Sequence, residues 1–319
     1  MSRDSTSSQA DRSRRFTGLH HVALTVQRPD RAARFYTAAA GCELWPAGQA
    51  LGLAEDSVTL SAPNVGVVLL QATGTEPPVR RPVFEAGIAH LCLQTPAIAP
   101  VVQQMKALGA QLHSEPIDLG TGFLYCYARD PEHNVIEVEG VAPVWPASRP
   151  WVAHANIVSH DLPRLCDFYS ALLGVKAVRS PRLRDDPRLD AIADLPGVQL
   201  RAAWLDAGNA QLELMQYLEP ATMAATGRRT PGAPGFAHLA FEVSGLDEAC
   251  AHLMACGGEL APRPSALPWQ AWATDPDGNR LWLLDLQDDH HAPLRIAALA
   301  DAQITSRFAA ARAVLLASA

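Results

Sequence analysis

Four histidines hold matching places in this chain. They sit in His21-Val-Ala-Leu-Thr-Val26, His90-Leu-Cys-Leu-Gln-Thr95, His154-Ala-Asn-Ile-Val-Ser159 and His238-Leu-Ala-Phe-Glu-Val243, each a short, mostly apolar run. Three polar residues interrupt other apolar runs: Gln71 in Val67-Val-Leu-Leu-Gln71, Glu137 in Asn134-Val-Ile-Glu137-Val138 and Glu213 in Gln211-Leu-Glu-Leu-Met215. Imidazole, carboxylate and amide oxygen all carry lone pairs suited to a divalent metal such as Fe, Mn, Co, Ni or Zn. A single histidine at a strand start is more often a satisfied core or surface residue, and gene duplication would repeat it without function. The three partners weigh the other way, because polar groups on apolar strands are costly to bury unpaired.

The elements that carry these residues repeat. Each histidine run has the apolar, β-branched character of a strand and is followed by a turn or helix-start signal: Arg28-Pro29-Asp30, Thr95-Pro96, Asp161-Leu162-Pro163 and Ser244-Gly245-Leu246-Asp247. A helical stretch then closes at Gly41, Gly109, Gly174 and Gly257, which lie 20, 19, 20 and 19 residues after their histidines. Phe35-Tyr36 and Phe168-Tyr169 mark the first and third copies only. Asp130-Pro131 with Asn134, and Asp275-Pro276 with Asn279, mark the second and fourth only. The order is therefore A-B-A′-B′, the mark of a duplicated pair. Further strand-like runs follow each helix, among them 65–71, 123–128, 135–139, 200–206, 211–217 and 280–286. The expected unit is strand, helix, then about three strands, an α+β arrangement.

The expected boundaries are a disordered tail at 1–15, a first two-module domain at 16–141, a proline-rich linker at 142–150, a second two-module domain at 151–288 and a C-terminal helix in 289–319 that docks on the body or on a second subunit of a homodimer. The net charge of −7 and pI of about 5.9 argue against a nucleic-acid or anionic-membrane partner. No apolar run approaches the roughly 20 residues of a membrane helix, and the polar start lacks a secretory h-region. Six scattered cysteines without a CxxC fit a reducing cytoplasm, and Cys250 and Cys256 read as small buried helix residues.

A histidine on a first strand, a helix ending in glycine, and a closing Asp-Pro-x-x-Asn strand with Glu137 in the second copy together resemble the vicinal oxygen chelate superfamily of glyoxalases, bleomycin-resistance proteins and extradiol dioxygenases. The resemblance covers residues 17–140 and 151–287. It implies two tandem glyoxalase-like domains, each of two βαβββ modules forming a cup around one metal, with ligands from the first and last strand of each module. Carried over, it assigns His21, Gln71, His90 and Glu137 to a complete first site. The second site receives His154, Glu213 and His238, with Trp282 at its fourth position; indole cannot ligate a cation. Glu137 is accordingly expected to matter more than Glu213.

The resemblance also implies chemistry. A divalent metal with four protein ligands leaves two adjacent positions for vicinal oxygens of a small-molecule substrate, and serves an isomerase, epimerase or glyoxalase-type lyase by stabilising an enediolate. Glu55 is the expected base; its bland reading is a solvated loop acid beside Asp56. A second implication is an Fe(II) extradiol dioxygenase, in which Tyr127 of Tyr127-Ala-Arg-Asp130-Pro131 would hold or protonate a catechol, although His133 replaces the usual glycine. A third is a metal-free protein that binds planar ligands between Trp204, Trp269, Trp272 and Trp282. The segment 179–196, unmatched in the first copy, reads as a lid beside the second cup or a surface loop with a short helix.

Overall fold

The computed structural model describes residues 15–74, 76–141, 149–180, 182–225, 232–263, 267–301 and 304. Within them each histidine run opens a module. The first comprises β1 (Phe16–Val26), α1 (Pro29–Ala40), β2 (Glu43–Leu44), β3 (Val58–Ser61) and β4 (Gly66–Gln71). The second comprises β5 (Gly87–Thr95), α2 (Ile98–Ala107), β6 (Gln111–Leu112), β7 (Ile117–Asp118), β8 (Leu124–Arg129) and β9 (Val135–Gly140). The third has β10 (Trp151–Val158), α3 (Leu162–Leu173), β11 (Val178–Arg179), an inserted α4 (Pro187–Ala193), β12 (Gln199–Asp206) and β13 (Gln211–Glu219). The fourth has β14 (Gly235–Val243), α5 (Leu246–Ala255), β15 (Glu259–Leu260), β16 (Gln270–Thr274) and β17 (Arg280–Asp285). Proline in the first turn starts α1 and α3, and Gly41 and Gly174 end them in the left-handed conformation at φ +66°.

In every module the first and last strands lie parallel, so His90 sits beside Val135 and His154 beside Gln211. Alternate residues then face opposite sides. Leu91, Leu93, Ile136, Val138, Leu212 and Leu214 point to a continuous apolar core shared with the helices, each such side chain stabilising the fold by about 1.5–3 kcal/mol. The intervening residues, including the histidines, point into a concave second face.

The α+β modules and their cup-forming sheets match the sequence reading, but the partners within each sheet differ from sequence order. One sheet has eight strands in the order β15-β16-β17-β14-β1-β4-β3-β2, and the other nine, β11-β12-β13-β10-β5-β9-β8-β6 with β7 on β8. β1 pairs antiparallel with β14, and β5 with β10. The first module thus shares its cup with the fourth, and the second with the third. Modules adjacent in sequence meet instead on the helical side. The Tyr36 hydroxyl donates to Asp130 Oδ2 at 3.0 Å, and the Tyr169 hydroxyl to Asp275 Oδ2 at 2.9 Å. The alternating Phe-Tyr and Asp-Pro markers of the sequence are the two halves of this contact.

A reciprocal asparagine clamp ties the sheets together. Asn64, in the turn before β4, donates to the Val152 carbonyl at 2.7 Å and accepts from the Val152 amide at 3.0 Å. Asn209, in the turn before β13, does the same to Leu19, both at 2.8 Å. Each clamp sits at an irregularity in strand register, between Val152 and His154 in β10 and between Leu19 and His21 in β1. Bulges of this kind re-aim the following side chain, here a histidine.

Past β17 the chain forms a 3₁₀ turn at Asp289–Leu294 and a short helix, α6 (Ile296–Leu299). Ile304, the last described residue, is buried with Val141 and Trp151. The rest of the expected C-terminal helix, the tail at 1–14 and linker residues 142–148 lie outside the described residues. Among those described, no helix is long and apolar enough to cross a membrane.

Candidate metal centre

The nine-stranded sheet gathers His90 from β5, Glu137 from β9, His154 from β10 and Glu213 from β13, with their ligand atoms all within 4.8 Å of one another. The register explains the convergence: each glutamate lies two residues beyond the partner of its module's histidine, on the same face. His90 Nε2 is 3.3 Å from Glu137 Oε2 and 3.4 Å from Glu213 Oε2. His154 Nε2 is 2.9 Å from Glu137 Oε2 and 3.1 Å from Glu213 Oε2, and the two Nε2 atoms are 3.2 Å apart. Asn156 donates to Glu213 Oε2 at 3.0 Å and orients it.

The donor set fits a divalent ion. Glu137 Oε2 is buried and makes no well-directed hydrogen bond despite its near neighbours, so lone pairs converge on a common point. Two carboxylates balance two positive charges, and two imidazoles complete a set suited to Mn, Fe, Co, Ni or Zn. Without an ion the groups compensate one another. Burial lowers the pKa of both imidazoles, but Glu137 and Glu213 outweigh it and hold His90 above, and His154 well above, the ordinary range. Burial likewise raises the glutamates, yet His154 and His90 bring both below the usual carboxylate range.

Around the quartet, Tyr127 pairs across the sheet with Glu137, and its ring lies 5.1 Å from that of His90. Burial, with Glu137 adding to it, keeps the phenol protonated. Glu139 lies on the same face of β9, held by the Gln94 side-chain amide. Burial first and Glu137 second raise its pKa to about 7. Sequence reasoning passed over Glu139, whose signal was its period-two spacing from Glu137.

The eight-stranded sheet holds the other histidines differently. His21 and His238 approach at 3.0 Å between Nε2 atoms. Val68 and Trp282 occupy the positions that Glu137 and Glu213 hold in the other cup, since His21 pairs with Gly66 and Ala240 with Trp282. Trp282 stacks on Trp272 at 4.8 Å and donates to Gln270 Oε1 at 2.7 Å. The cup is filled by Trp45, Ala47, Leu51, Leu286 and Leu294. His20 Nε2 lies 2.8 Å from the Leu294 carbonyl, and His20 Nδ1 lies 2.8 Å from His21 Nδ1. Burial lowers His20 to about 4 and His238 to about 3, and takes His21 well below its ordinary value. With all three neutral, one tautomer pattern fits: His20 donates to the carbonyl, His21 to His20, and His238 to His21. These are satisfied core histidines.

The expected grouping therefore needs correction. His21 and His90 belong to different sheets, as do His154 and His238. Gln71 does not face the His21 cup: it is three residues past Val68, on the opposite side of β4, and donates to the Gln27 and Ala72 carbonyls at 3.1 and 3.3 Å. Asn64 and Asn209 each stand four residues before the relevant position, and that spacing would have selected Val68. Glu55 is exposed in a turn of the first module, whose sheet does not carry the quartet. Trp204 lies beside Glu213, whereas Trp269, Trp272 and Trp282 belong to the filled cup.

A family model described as the Glyoxalase/Bleomycin resistance protein/Dioxygenase superfamily matches residues 18–138 and 151–283. Among solved structures, glyoxalase I from Zea mays is similar with a TM-score of 0.59 at 18% identity, over 84% of this chain and 92% of that one. A protein from Bacillus subtilis described as a putative dioxygenase matches with a TM-score of 0.59 at 12% identity over 90% of each chain. At these identities the likeness shows the fold.

Proposed function

Because the chain belongs to the glyoxalase/bleomycin resistance protein/dioxygenase superfamily, we propose that it is a divalent-metal-dependent enzyme whose working site is the His90–Glu137–His154–Glu213 quartet. The observation that carries this reading is the convergence of four buried ligand atoms within 4.8 Å. The substrate is a small molecule that chelates through vicinal oxygens, and the reaction is an isomerisation, epimerisation or glyoxalase-type lyase step. An ion held there would polarise a carbonyl and stabilise the enediolate formed on proton loss.

The chain's own groups supply the rest. His90 and His154 are aimed by their strands and, for His154, by the Asn64 clamp on Val152. Asn156 fixes Glu213. Glu139 is the carboxylate that charge balance leaves over beside the quartet, and it takes the place expected of Glu55 as proton acceptor. Tyr127 offers a protonated hydroxyl group beside His90.

The test is metal analysis of purified protein, followed by solvent-deuterium exchange into 2-hydroxycarbonyl compounds. One ion per chain and deuterium at the carbon next to the carbonyl support the proposal; a folded protein without metal refutes it. Tyr127 beside His90 favours a second reading, an Fe(II) extradiol dioxygenase. That reading requires bound iron and oxygen uptake with a catechol.

A further inference from the structure

The quartet is largely buried: His90 is 3% exposed, Glu137 8%, His154 4% and Glu213 3%. Room for a substrate body beside it would come from displacing what packs there. Against Tyr127, the neighbour of His90, packs α4, part of the 179–196 insertion. Its Leu189 and Ile192 pack in one apolar cluster with Tyr127, Tyr217, Leu200 and Met215.

Two features make α4 separable from the body. Beyond that apolar packing, which includes Tyr127 of the second module, its hydrogen bonds and ion pair to that module lie at the periphery. Arg188 donates to the Asp118 carbonyl at 2.9 Å, Arg80 pairs with Asp194 at 2.7 Å, and the Ile192 carbonyl lies 3.2 Å from His113 Nδ1. The first two are exposed, and exposed pairs contribute little to stability. The helix is also bracketed by Asp185 and Asp194 at φ +55° and +56°, two of the three non-glycine residues with positive φ among the described residues. Residues with a β-carbon adopt that region uncommonly, and a few such positions suffice as hinges.

We propose that α4 is a displaceable lid, and that the ligand admitted beneath it carries an apolar body on a pair of metal-chelating oxygens. The space filled by Leu189 and Ile192 is walled by aliphatic, thioether and phenol groups. A charged or heavily hydroxylated body would lose its hydration there without gaining partners, whereas an alkyl or aryl body replaces the two side chains in kind. This proposal rests on the metal reading of the same cup.

The experiment titrates n-alkyl hydroxamates, from acetohydroxamate to octanohydroxamate, into the nickel-loaded full-length chain by calorimetry. Amide hydrogen exchange is followed across 187–193. Affinity is expected to rise about threefold to fourfold per methylene over the first several carbons, with faster exchange in α4 when the longer members bind. Arg80→Ala combined with Arg188→Ala, which loosens the lid without touching the cup, is expected to raise the association rate severalfold. A nickel-loaded chain that binds every hydroxamate equally, or binds the longest with α4 protection unchanged, overturns this proposal alone. A chain that takes up no nickel overturns it together with the metal reading.

Discussion

Loading the quartet with metal should expel protons at a pH where ordinary histidines have none to give. His90 and His154 are held above their ordinary range by Glu137 and Glu213, while an imidazole must be neutral to ligate. At pH 7.5 a histidine of ordinary pKa, about 6.5, is about one-tenth protonated, so two unperturbed histidines would release about 0.2 protons per ion. Two imidazoliums fully held by the carboxylates would release about two. Their Nε2 atoms are 3.2 Å apart, and like-charge repulsion at that distance trims the number, so the expected release lies between about one and two. Calorimetry of nickel binding at pH 7.5, in buffers of differing ionisation enthalpy, reads this number directly. A release of about 0.2 or less would falsify the electrostatic reading of the site.

The same shifts set the stability of the metal-free protein. The raised imidazoles contribute stability that is present below their ordinary pKa and lost as pH climbs through the raised values. The lowered carboxylates contribute stability present above their ordinary pKa, about 4.3, and lost on acidification below it. The metal-free chain should therefore be most stable between mildly acidic and neutral pH. It should weaken as pH rises through the raised imidazole values unless an ion is supplied.

Glu137→Ala and Glu213→Ala should each abolish stoichiometric metal retention after gel filtration, while Gln71→Ala and Glu55→Ala retain one ion per chain; equal retention by all four would show that the ligands lie elsewhere. Glu139→Gln should keep the ion yet slow deuterium exchange into substrate by a factor of about 10²–10⁴, and an unchanged exchange rate would remove Glu139 from the chemistry. Asn64→Ala should lower stability by about 2–4 kcal/mol, since it breaks buried hydrogen bonds and leaves Val152 backbone groups unpartnered, and should also weaken metal binding through His154; denaturant melts and nickel titration measure the two effects.

Much of the fold was legible because its signals are local. The period-two histidine runs, the glycines closing α1 and α3, and the Asp-Pro turns act within a few residues, and they located all four modules. The individual ligands on the nine-stranded sheet were legible for the same reason: Glu137 and Glu213 are charged residues on apolar strands, which burial tolerates only with partners. The partnership of modules was not legible. It depends on which first strands pair edge to edge, β5 with β10 and β1 with β14, and all four first strands offer similar apolar edges. The markers that alternate along the chain, Tyr36 with Asp130 and Tyr169 with Asp275, record the helical-side contact between sequence neighbours. They mark the duplicated pair, whereas the sharing of a cup by neighbours is what the family resemblance implies.

The exchange of partners also explains why four similar histidines have two fates. With the second module facing the third, every position around the point of convergence carries a potential ligand, and the two carboxylates would balance a divalent ion. With the first facing the fourth, Val68 and Trp282 bring no charge, and a buried ion would meet two neutral imidazoles and an apolar wall. The chain instead lays Leu286 and Leu294 into that cup and uses the Leu294 carbonyl to anchor His20, His21 and His238 in sequence. Retained histidines in the second cup are thus accounted for by hydrogen bonding within the core. The carboxylates, not the histidines, separate a cup able to hold a metal from a packed one in this molecule.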